Sequence, residues 1–584
     1  MNERTPEYQL RPSDPPRATE LARSCGVGPF VGQVLLHRGI KDVASARAFL
    51  AAKLSGLTSP ESMADRDAAA DRIADAIRRR ERVVVFGDYD VDGTTSAALL
   101  TDVLTALGGD ARALVANRFD GGYGFSSAAL QRCMDHRPGL IVTCDCGSSD
   151  HERIASAQAK GVDVIVVDHH LVPKERLPAY AFLNPHRPDC GFAYKGLASA
   201  GLVLSLGAAV RTRLGVTLDL RSWLDLVALG TVADVAPLDG DNRRLVRAGL
   251  QRISSPHARP GVTALCELAR ISVGSPVSAT DIAFRIAPRM NAAGRLGDPS
   301  IVVELLRARD IHQARGLAAR IEQINERRKS IERRVTAAAI KQVEDIYGNM
   351  PAGGVVVAAE DWHRGVVGIT AARLVDRFQV PAAVLAFQEG LGHGSGRAPE
   401  GFDLFRAISH CREHLTKFGG HHAAVGFSLS EPQLEAFRAA FTDACKDQSA
   451  FSSKEEPRLV DAEIDGVGLM LPAVSDLISL EPVGERFREP TVALVDAKVV
   501  STRVVGDNHL SLELQAGGGS LRAFAFELGH LSSTLPSTIT PIGSLRPDNY
   551  RGGGAVELRV DVLNARVGAY RDGIEDPDTS HHDV

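Results

Sequence analysis

The sequence predicts an α/β fold in four parts: a parallel-sheet domain, a long connecting helix, a second α/β domain and a small OB-like β-barrel. Three observations predict it. Short apolar runs that end in carboxylates alternate with helical stretches in the first half of the chain. A charged stretch with Ile and Leu at helical spacing follows, from Ile301 to Tyr347. After Pro457 the pattern changes to short β-type runs separated by glycine turns.

Residues 1–20 are polar and proline-rich and read as disordered. Ala64–Arg80 reads as an amphipathic helix leading into the buried strand Val83–Phe86. Asp88, Asp90 and Asp92 then arrive at every second position. Thr94, Thr95 and Ser96 follow as candidate N-caps of a helix running to Leu107. Three carboxylates in five residues repel one another unless they are solvated or share cations, so a metal site is the better reading than a polar turn.

The pattern repeats. Ala111–Ala116 reads as a strand, and Asn117–Gly124 as a glycine-rich loop carrying Arg118. Gly139–Thr143 is a strand that leads to Asp145. A short helix over 151–160 is closed by Gly161. Val162–Val167 is a strand ending in Asp168-His169-His170. Parallel sheets bind ligands beyond the carboxyl ends of their strands, so these aspartates and His169 converge on one edge. Each alone has a plainer reading as a turn, a cap or a core histidine. Leu224–Thr231 fits helix or strand equally, and Asp234 just after it is a further candidate for the cluster.

The second α/β domain begins after Pro351-Ala-Gly-Gly354, with strands at Val355–Ala359, Ala382–Phe387 and Ala424–Leu429. It carries Gly392-His-Gly-Ser-Gly-Arg397 and Gly419-Gly-His-His422, and such glycines suit close backbone approach to a phosphate. The barrel strands are expected at Thr491–Val495, Ala497–Val505, His509–Leu514, Leu521–Phe526 and Val556–Val562. Small barrels of this kind bind single-stranded nucleic acid, although a structural β-module fits the pattern too. The expected boundaries are 1–20, 21–300, 301–350, 351–449 and 456–570, with a disordered tail over 571–584.

Composition bounds the rest. The 584 residues are 44% hydrophobic and 24% charged, as in ordinary globular chains. The net charge of -5 gives no global basic signature, so any nucleic-acid groove must be local. Eight scattered cysteines form no disulfide framework, and no apolar h-region or membrane-spanning run is present. A reducing cytoplasm is the expected setting.

The motifs together resemble the DHH phosphoesterase superfamily and, within it, the bacterial RecJ single-strand-specific exonucleases. The resemblance rests on Gly87-Asp-Tyr-Asp-Val-Asp-Gly93, Thr143-Cys-Asp-Cys-Gly147, Asp168-His-His170 and Leu229-Gly-Thr-Val-Ala-Asp-Val235. It extends to Arg289-Met-Asn-Ala-Ala-Gly-Arg295, Trp362-His-Arg-Gly-Val-Val-Gly368, Gly394-Ser-Gly-Arg397 and Gly419-Gly-His-His422. It implies a DHH domain, a DHH-associated domain and two divalent metals, Mn2+ or Mg2+. It implies that Asp90, Asp92, Asp145, His169 and Asp234 ligate metal, with Asp145 bridging and Asp88 as ligand or support. His170 would face the scissile phosphate. Arg118, Arg295, Ser395 and Arg397 would hold the 5′-terminal phosphate, and His421 the phosphate backbone.

The implied activity is 5′→3′ hydrolysis of single-stranded DNA to 5′-mononucleotides, in recombination and repair. The implied setting is a monomer working with single-strand-binding protein and a RecQ-type helicase, away from membranes. The alternatives are a DHH phosphatase or oligoribonuclease acting on small nucleotides, and an inactive DNA-binding scaffold. Two departures stand out. Glu481–Pro490 matches the family's stretch before the barrel only loosely, and a further C-terminal domain of some members is not expected here.

Overall fold

The structure is a computed structural model, and it describes residues 7–567 apart from 121–123, 273, 449–457, 466, 468, 507, 517, 549–550 and 552. The expected tail after residue 570 lies outside the described residues. The chain divides into two compact units. One gathers the described residues within Met1–Ala116, Tyr123–Ala287 and Glu455–Val584; the other gathers those within Asn117–Gly122 and Pro288–Lys454.

Residues 1–6 of the stretch expected to be disordered lie outside the described residues, and the described part of the first unit opens with a strand. β1 (Glu7–Leu10) is followed by helices over Pro15–Cys25 and Pro29–His37. Asp14 caps the first helix by accepting from the Arg17 amide at 3.1 Å, and Pro15 sits at its first position. Local polarity hid this order, because the partners of β1 lie 450 and 559 residues further along the chain, as Tyr8↔Arg458 and Glu7↔Arg566 show. It pairs in parallel with strands at Arg458–Val460 and Arg566–Val567.

The central sheet of the first unit contains β2 (Arg82–Gly87), β3 (Asp110–Val115), β4 (Leu140–Cys144), β5 (Asp163–Val167) and β6 (Ala181–Leu183). All are parallel, in the order β3-β2-β4-β5-β6. β2 and β4 are consecutive in space but lie on opposite sides of the point where the winding reverses. Their carboxyl ends therefore open a crevice, and Asp88 and Asp145 are the next residues. Val84, Phe86, Ile141, Val164 and Val166 pack one face of the sheet against Phe125 and Ile154.

Helix Val91–Ala106 is buried along nearly its whole length. Asp90 is its N-cap, accepting from the Gly93 amide at 3.0 Å. Thr94 and Thr95 are not the caps. Their hydroxyls donate back to the carbonyls of Asp90 and Val91 at 2.7 Å each, which satisfies them inside the core. The ambiguous apolar run is a helix, Leu224–Ala233, buried on all sides, so it shows no amphipathic period.

The second unit contains a mixed sheet of β7 (Val355–Ala359), β8 (Ala382–Gln388), β9 (Leu391–Arg397), β10 (Lys417–His421) and β11 (Ala424–Ser430). The order is β10-β11-β9-β8-β7, with only β7 and β8 parallel. The expected long helix is two: Ser300–Leu306, then Ile311–Tyr347 restarted by an Asp310 cap. Val335, Ala339 and Val343 of the longer helix are buried against Val355 and Val357.

The barrel belongs to the first unit. After β12 (Arg458–Val460) and β13 (Ala462–Ile464) come β14 (Thr491–Leu494), β15 (Ala497–Val505), β16 (His509–Ala516) and β17 (Gly519–Ala525). Then follow β18 (Thr538–Ile539), β19 (Ile542–Pro547), β20 (Val556–Val562) and β21 (Arg566–Val567). The sheet runs β13-β14-β19-β20-β17-β16-β15-β18. β14 and β15 are nearly one strand, so pairing of β14 with β19 closes the ring; β17 and β20 pair in parallel, as the OB topology requires. β19 was not expected from sequence, because Gly543 and Pro547 break its β pattern. Leu510, Leu512, Leu521 and Leu558 fill the interior, and Phe30, Val34 and Leu35 share that core.

Asp461 ties the N-terminal segment to the barrel. Its carboxylate lies 2.9 Å from Arg38, and 3.3 Å from both Arg11 and His37. It also accepts from the Thr491 amide at 2.9 Å. Burial opposes its ionisation, but the His37 hydrogen bond and the Arg38 and Arg11 charges outweigh that and hold its pKa far below the usual carboxylate range. Removing one member of such a buried network costs about 3–5 kcal/mol. Asp461→Ala is therefore expected to lower the melting temperature sharply near neutral pH. The deficit should begin to shrink only below about pH 4 and close as pH falls toward the native carboxylate's much lower value. Thermal melts at pH 7 and at a series of pH values from about 4 down to about 2 check both statements.

Among the described residues no helix is long and apolar enough to cross a membrane. All eight cysteines are free thiols.

Candidate metal centre and anion site

The acidic cluster is built from four segments of the first unit. Asp88 follows β2, and its amide donates to the Cys144 carbonyl at 3.2 Å. Asp92 lies in the first turn of helix Val91–Ala106 and is 1% exposed. Its two oxygens accept from the Ser199 and Ala200 amides at 2.7 and 3.0 Å. Those amides open helix Ser199–Leu214, so unsatisfied donors and the helix dipole both face the carboxylate. Asp145 follows β4 and takes a left-handed φ of 63°, strained for a residue with a Cβ. It is 1% exposed and accepts from the Ser199 hydroxyl at 3.2 Å.

His169 follows β5, and Asp234 ends helix Leu224–Ala233 as its C-cap. His169 Nε2 lies 3.2 Å from Asp145 Oδ1 and 3.5 Å from Asp234 Oδ2. That nitrogen is buried and makes no hydrogen bond. Two sets of donor atoms converge within 4.8 Å: Asp92, His169 and Asp234, and Asp145, His169 and His170. Asp90 stands beside them and raises the pKa of Asp92, Asp145 and Asp234 by its charge, although its side chain also caps the helix. Asp88 accepts from the Gly124 amide at 3.3 Å and acts on Asp145 through its charge.

The electrostatics are those of a cation site. Burial and then the Asp90 charge push Asp92 up to about 7. Burial, then Asp92 and Asp90, push Asp234 up to about 9, and Asp145 rises well above its usual range. Burial and the His170 charge lower His169 to about 4, so it is neutral at pH 7 and able to ligate. A set of carboxylates with one neutral imidazole fits Mn2+ or Mg2+ rather than a thiolate-seeking metal.

His170 has the opposite environment. Its Nδ1 donates to Asp168 Oδ1 at 2.7 Å, and Asn184 fixes its carbonyl at 2.9 Å. Burial works against its charge, but the Asp168 hydrogen bond and charge prevail and raise it to about 9. Asp168 also accepts from the amides of Ser148, His169 and His170, at 3.1, 2.8 and 3.2 Å. Asp168 is thus the positioning carboxylate of the motif, a role the sequence reading left unassigned.

The second unit holds a cationic cluster. Alternate residues of β9 share a face, which aligns His393, Ser395 and Arg397. Arg397 donates to Ser395 Oγ at 2.9 Å. Both press on Gly368 in the first turn of helix Val367–Phe378, where an added Cβ would lie 3.0 Å from Ser395 Oγ and 3.2 Å from Arg397. The serine and arginine therefore flank amides that a side chain would cover. Arg295 donates to the Gly365 carbonyl at 3.4 Å, and Arg118 to the Gly294 carbonyl at 3.4 Å.

Burial, then the Arg118 charge, lower the pKa of both Arg364 and Arg397. Mutual repulsion of this kind favours an anion. His421 is exposed on β10, near enough to Arg397 to be lowered by its charge after burial and His422. Three residues were missed: Arg364, whose guanidinium lies 4.5 Å from the Phe119 ring centre, His363, whose ring meets the edge of Phe119, and His393. The Trp362-His-Arg-Gly365 motif carried the signal for the first two.

Comparison with known proteins matches all three domains. The model of the DHH family N-terminal domain matches residues 82–231, the DHHA1 domain 352–447 and the RecJ OB domain 460–561. The chain is 35% identical to the single-stranded-DNA-specific exonuclease RecJ of Dickeya dadantii, over 94% of this chain and 98% of that protein. It is 34% identical to the protein of that name from Escherichia coli, over 92% and 96% respectively. The crystal structure of RecJ in complex with Mn2+ from Thermus thermophilus superposes with a TM-score of 0.77 at 28% identity, covering 98% of this chain and 82% of that one. With DHH, DHHA1 and RecJ OB domains in succession and near end-to-end similarity to these exonucleases, the chain belongs to the RecJ family.

Proposed function

We propose that this protein is a metal-dependent exonuclease that degrades single-stranded DNA from its 5′ end to 5′-mononucleotides, in recombination and repair. One observation carries the reading: carboxylates and an imidazole from four segments meet at the switch point of the sheet, and His169 Nε2 faces Asp145 and Asp234 with no hydrogen bond. Asp90, Asp92, Asp145, His169 and Asp234 would hold two Mn2+ or Mg2+ ions, with Asp88 supporting. Bound there, the pair supplies Lewis acidity toward a phosphodiester and acidifies water for in-line attack.

The chain's own groups do the rest. Water adds to phosphorus and the P–O3′ bond breaks; the leaving oxygen takes a proton and the released nucleotide keeps its 5′-phosphate. His170, held protonated by Asp168, donates to a phosphoryl oxygen as negative charge gathers there. Arg118, Arg295, Ser395 and Arg397 grip the terminal phosphate, and His421 contacts the backbone.

The barrel supplies the grip on bases. Register places Arg503, Ser511, Phe524 and Arg559 in one row across four strands. Phe526 is 54% exposed, and its ring lies 4.9 Å from Phe524 and 5.3 Å from His509. An aromatic patch flanked by arginines is a stacking platform for unpaired bases. Phe526→Ala should weaken binding of oligothymidylate about tenfold, since stacking contributes about 1–3 kcal/mol per base, while leaving hydrolysis of very short oligonucleotides nearly unchanged. Fluorescence titration against strands of increasing length checks this. A single-strand-specific enzyme needs unwound DNA, which a RecQ-type helicase and single-strand-binding protein would present in the cytoplasm.

The deciding experiment uses single strands labelled at either end, with Mn2+. The 5′ label should leave first, as mononucleotide, while duplex stays intact. Folded, metal-binding protein that cuts only dinucleotides or other small phosphoesters would replace this reading by a small-substrate phosphatase. Asp90→Ala should lose activity and keep much of its DNA binding.

A further inference from the structure

The stretch Glu481–Pro490, which the family pattern did not explain, holds the loop that carries Asp234. Asp234 is followed by Val235, whose φ is 58°. A β-branched residue is strained in that region. Its side chain is 66% exposed, so packing does not offset the strain. The hold comes from the backbone on either side. Upstream, the amides of Val235 and Ala236 donate to the carbonyls of Val232 and Thr231, each at 3.2 Å. Downstream, the Leu238 amide donates to the Glu485 carbonyl at 2.8 Å.

That second anchor is fastened from several sides. Leu238 is 2% exposed and lies over Gly484, where an added Cβ would come within 2.7 Å of its Cδ1. The Phe487 amide donates to the Gly484 carbonyl at 3.1 Å, closing a tight turn. Arg243, 2% exposed on helix Gly240–Ile253, fastens the same turn from behind. It donates to the carbonyls of Pro482 and Leu480 at 2.8 and 2.9 Å, and to that of Glu481 at 3.2 Å. Its guanidinium lies 3.6 Å from the Phe49 ring centre and 4.8 Å from that of Phe487. Arg247 adds a bond to the Glu481 carbonyl at 2.6 Å. Four residues after Phe487 the chain enters β14, the strand that closes the barrel.

We propose that Leu480–Phe487 is a positioning brace that keeps Val235 in its left-handed conformation and thereby presents Asp234 to the metal centre, coupling the seating of the barrel to metal affinity. Arg243 and Gly484 are positioning residues; neither touches the reacting atoms. The proposal rests on the metal-site reading above. An arginine suits it because its planar fork offers five donors in a fixed geometry to carbonyls spread along the turn, whereas lysine's compact ammonium on a flexible stem cannot span them in the same way.

The test measures Mn2+ affinity of the full-length protein by calorimetric titration, without DNA. Arg243→Lys and Gly484→Val should each weaken it about tenfold while far-UV circular dichroism stays native. Val235→Gly in either background should restore most of the loss, because glycine holds that φ without strain and no longer needs the brace. A merely structural role would not be rescued there. In the unsubstituted protein, Mn2+ should slow hydrogen exchange at the amides of Leu238 and Phe487.

Affinities within twofold of wild type in both folded variants, or failure of Val235→Gly to restore them, overturns the brace. If the variants unfold, exchange at Leu238 and Phe487 that ignores Mn2+ overturns it. Failure of the unsubstituted protein to bind Mn2+ at all would instead overturn the metal-site reading.

Discussion

Asp145→Asn is expected to remove Mn2+-dependent exonuclease activity by about a thousandfold or more, the scale of losing a preorganised electrostatic contact to the transition state. The substitution is nearly isosteric. The side chain is buried beside Ser199 and His169, at 3.2 Å from each, so the amide fits without a cavity. What changes is charge. Asp145 is the carboxylate whose pKa is raised by all of Asp90, Asp92, Asp234 and Asp88, after burial.

Without metal, that repulsion works against the fold. A carboxylate with a raised native pKa contributes stability that is complete below its unfolded pKa, near 4, and lost as pH climbs through the native value. For Asp92 and Asp234 the window extends to about 7 and about 9. Metal-free wild-type protein should therefore melt at progressively lower temperature as pH rises from 5 to 9, and Mn2+ should reverse the trend. Mn2+ at a hundred times its dissociation constant would add about 2.7 kcal/mol. Metal-free Asp145→Asn should melt higher than metal-free wild type at pH 8 and gain less from Mn2+. A melt series with and without Mn2+, beside the nuclease assay, tests the pair of effects. Full activity, or a lower metal-free melting temperature, would remove Asp145 from the centre.

The second large effect is expected at Asp168. Asp168→Asn keeps an oxygen for the amides of Ser148, His169 and His170 but removes the charge that holds His170 protonated. His170 should then fall from about 9 back toward the ordinary histidine value near 6.5. The alkaline limb of kcat/KM should move down by about two pH units. At pH 8 the loss should reach about ten- to thirtyfold, because a histidine titrating near about 6.5 to 7 is mostly neutral there. At pH 6 it should be much smaller. The sign follows from the raised pKa: His170 is charged below its native value and loses that charge as pH rises through it. A pH-independent loss would mean that Asp168 supports the loop and nothing more. Stability should respond in the other direction, because the pKa of Asp168 itself is held low. The native carboxylate's advantage over asparagine is present above pH 4 and fades in acid.

The sequence by itself determined the parts whose physics is local. Val83–Phe86 followed by three aspartates, Thr143-Cys-Asp145 and Val167-Asp-His-His170 each read as a buried strand with chemistry at its carboxyl end. Parallel crossovers then place those ends on one edge, so the candidate acidic and histidine cluster was legible in the residues alone. The charged helix and the glycine-punctuated barrel were legible for the same reason: their periods lie within a few residues.

Tertiary structure alone decided what depends on distant partners. β1 becomes a strand only between Arg458–Val460 and Arg566–Val567, so a polar, proline-rich start read as disorder. Leu224–Ala233 is a helix with no polar face, because the core surrounds it, and periodicity had nothing to report. Asp90 takes the cap that Thr94 and Thr95 were expected to supply, since its carboxylate reaches the Gly93 amide first. Spacing could not show that Asp168 serves His170, that Arg364 lies over Phe119, or that Arg243 reaches the Glu481 segment more than two hundred residues later. Strand and helix periods are written in neighbouring residues. A hydrogen bond between distant segments is set by the packing that brings them together, and no local pattern records it.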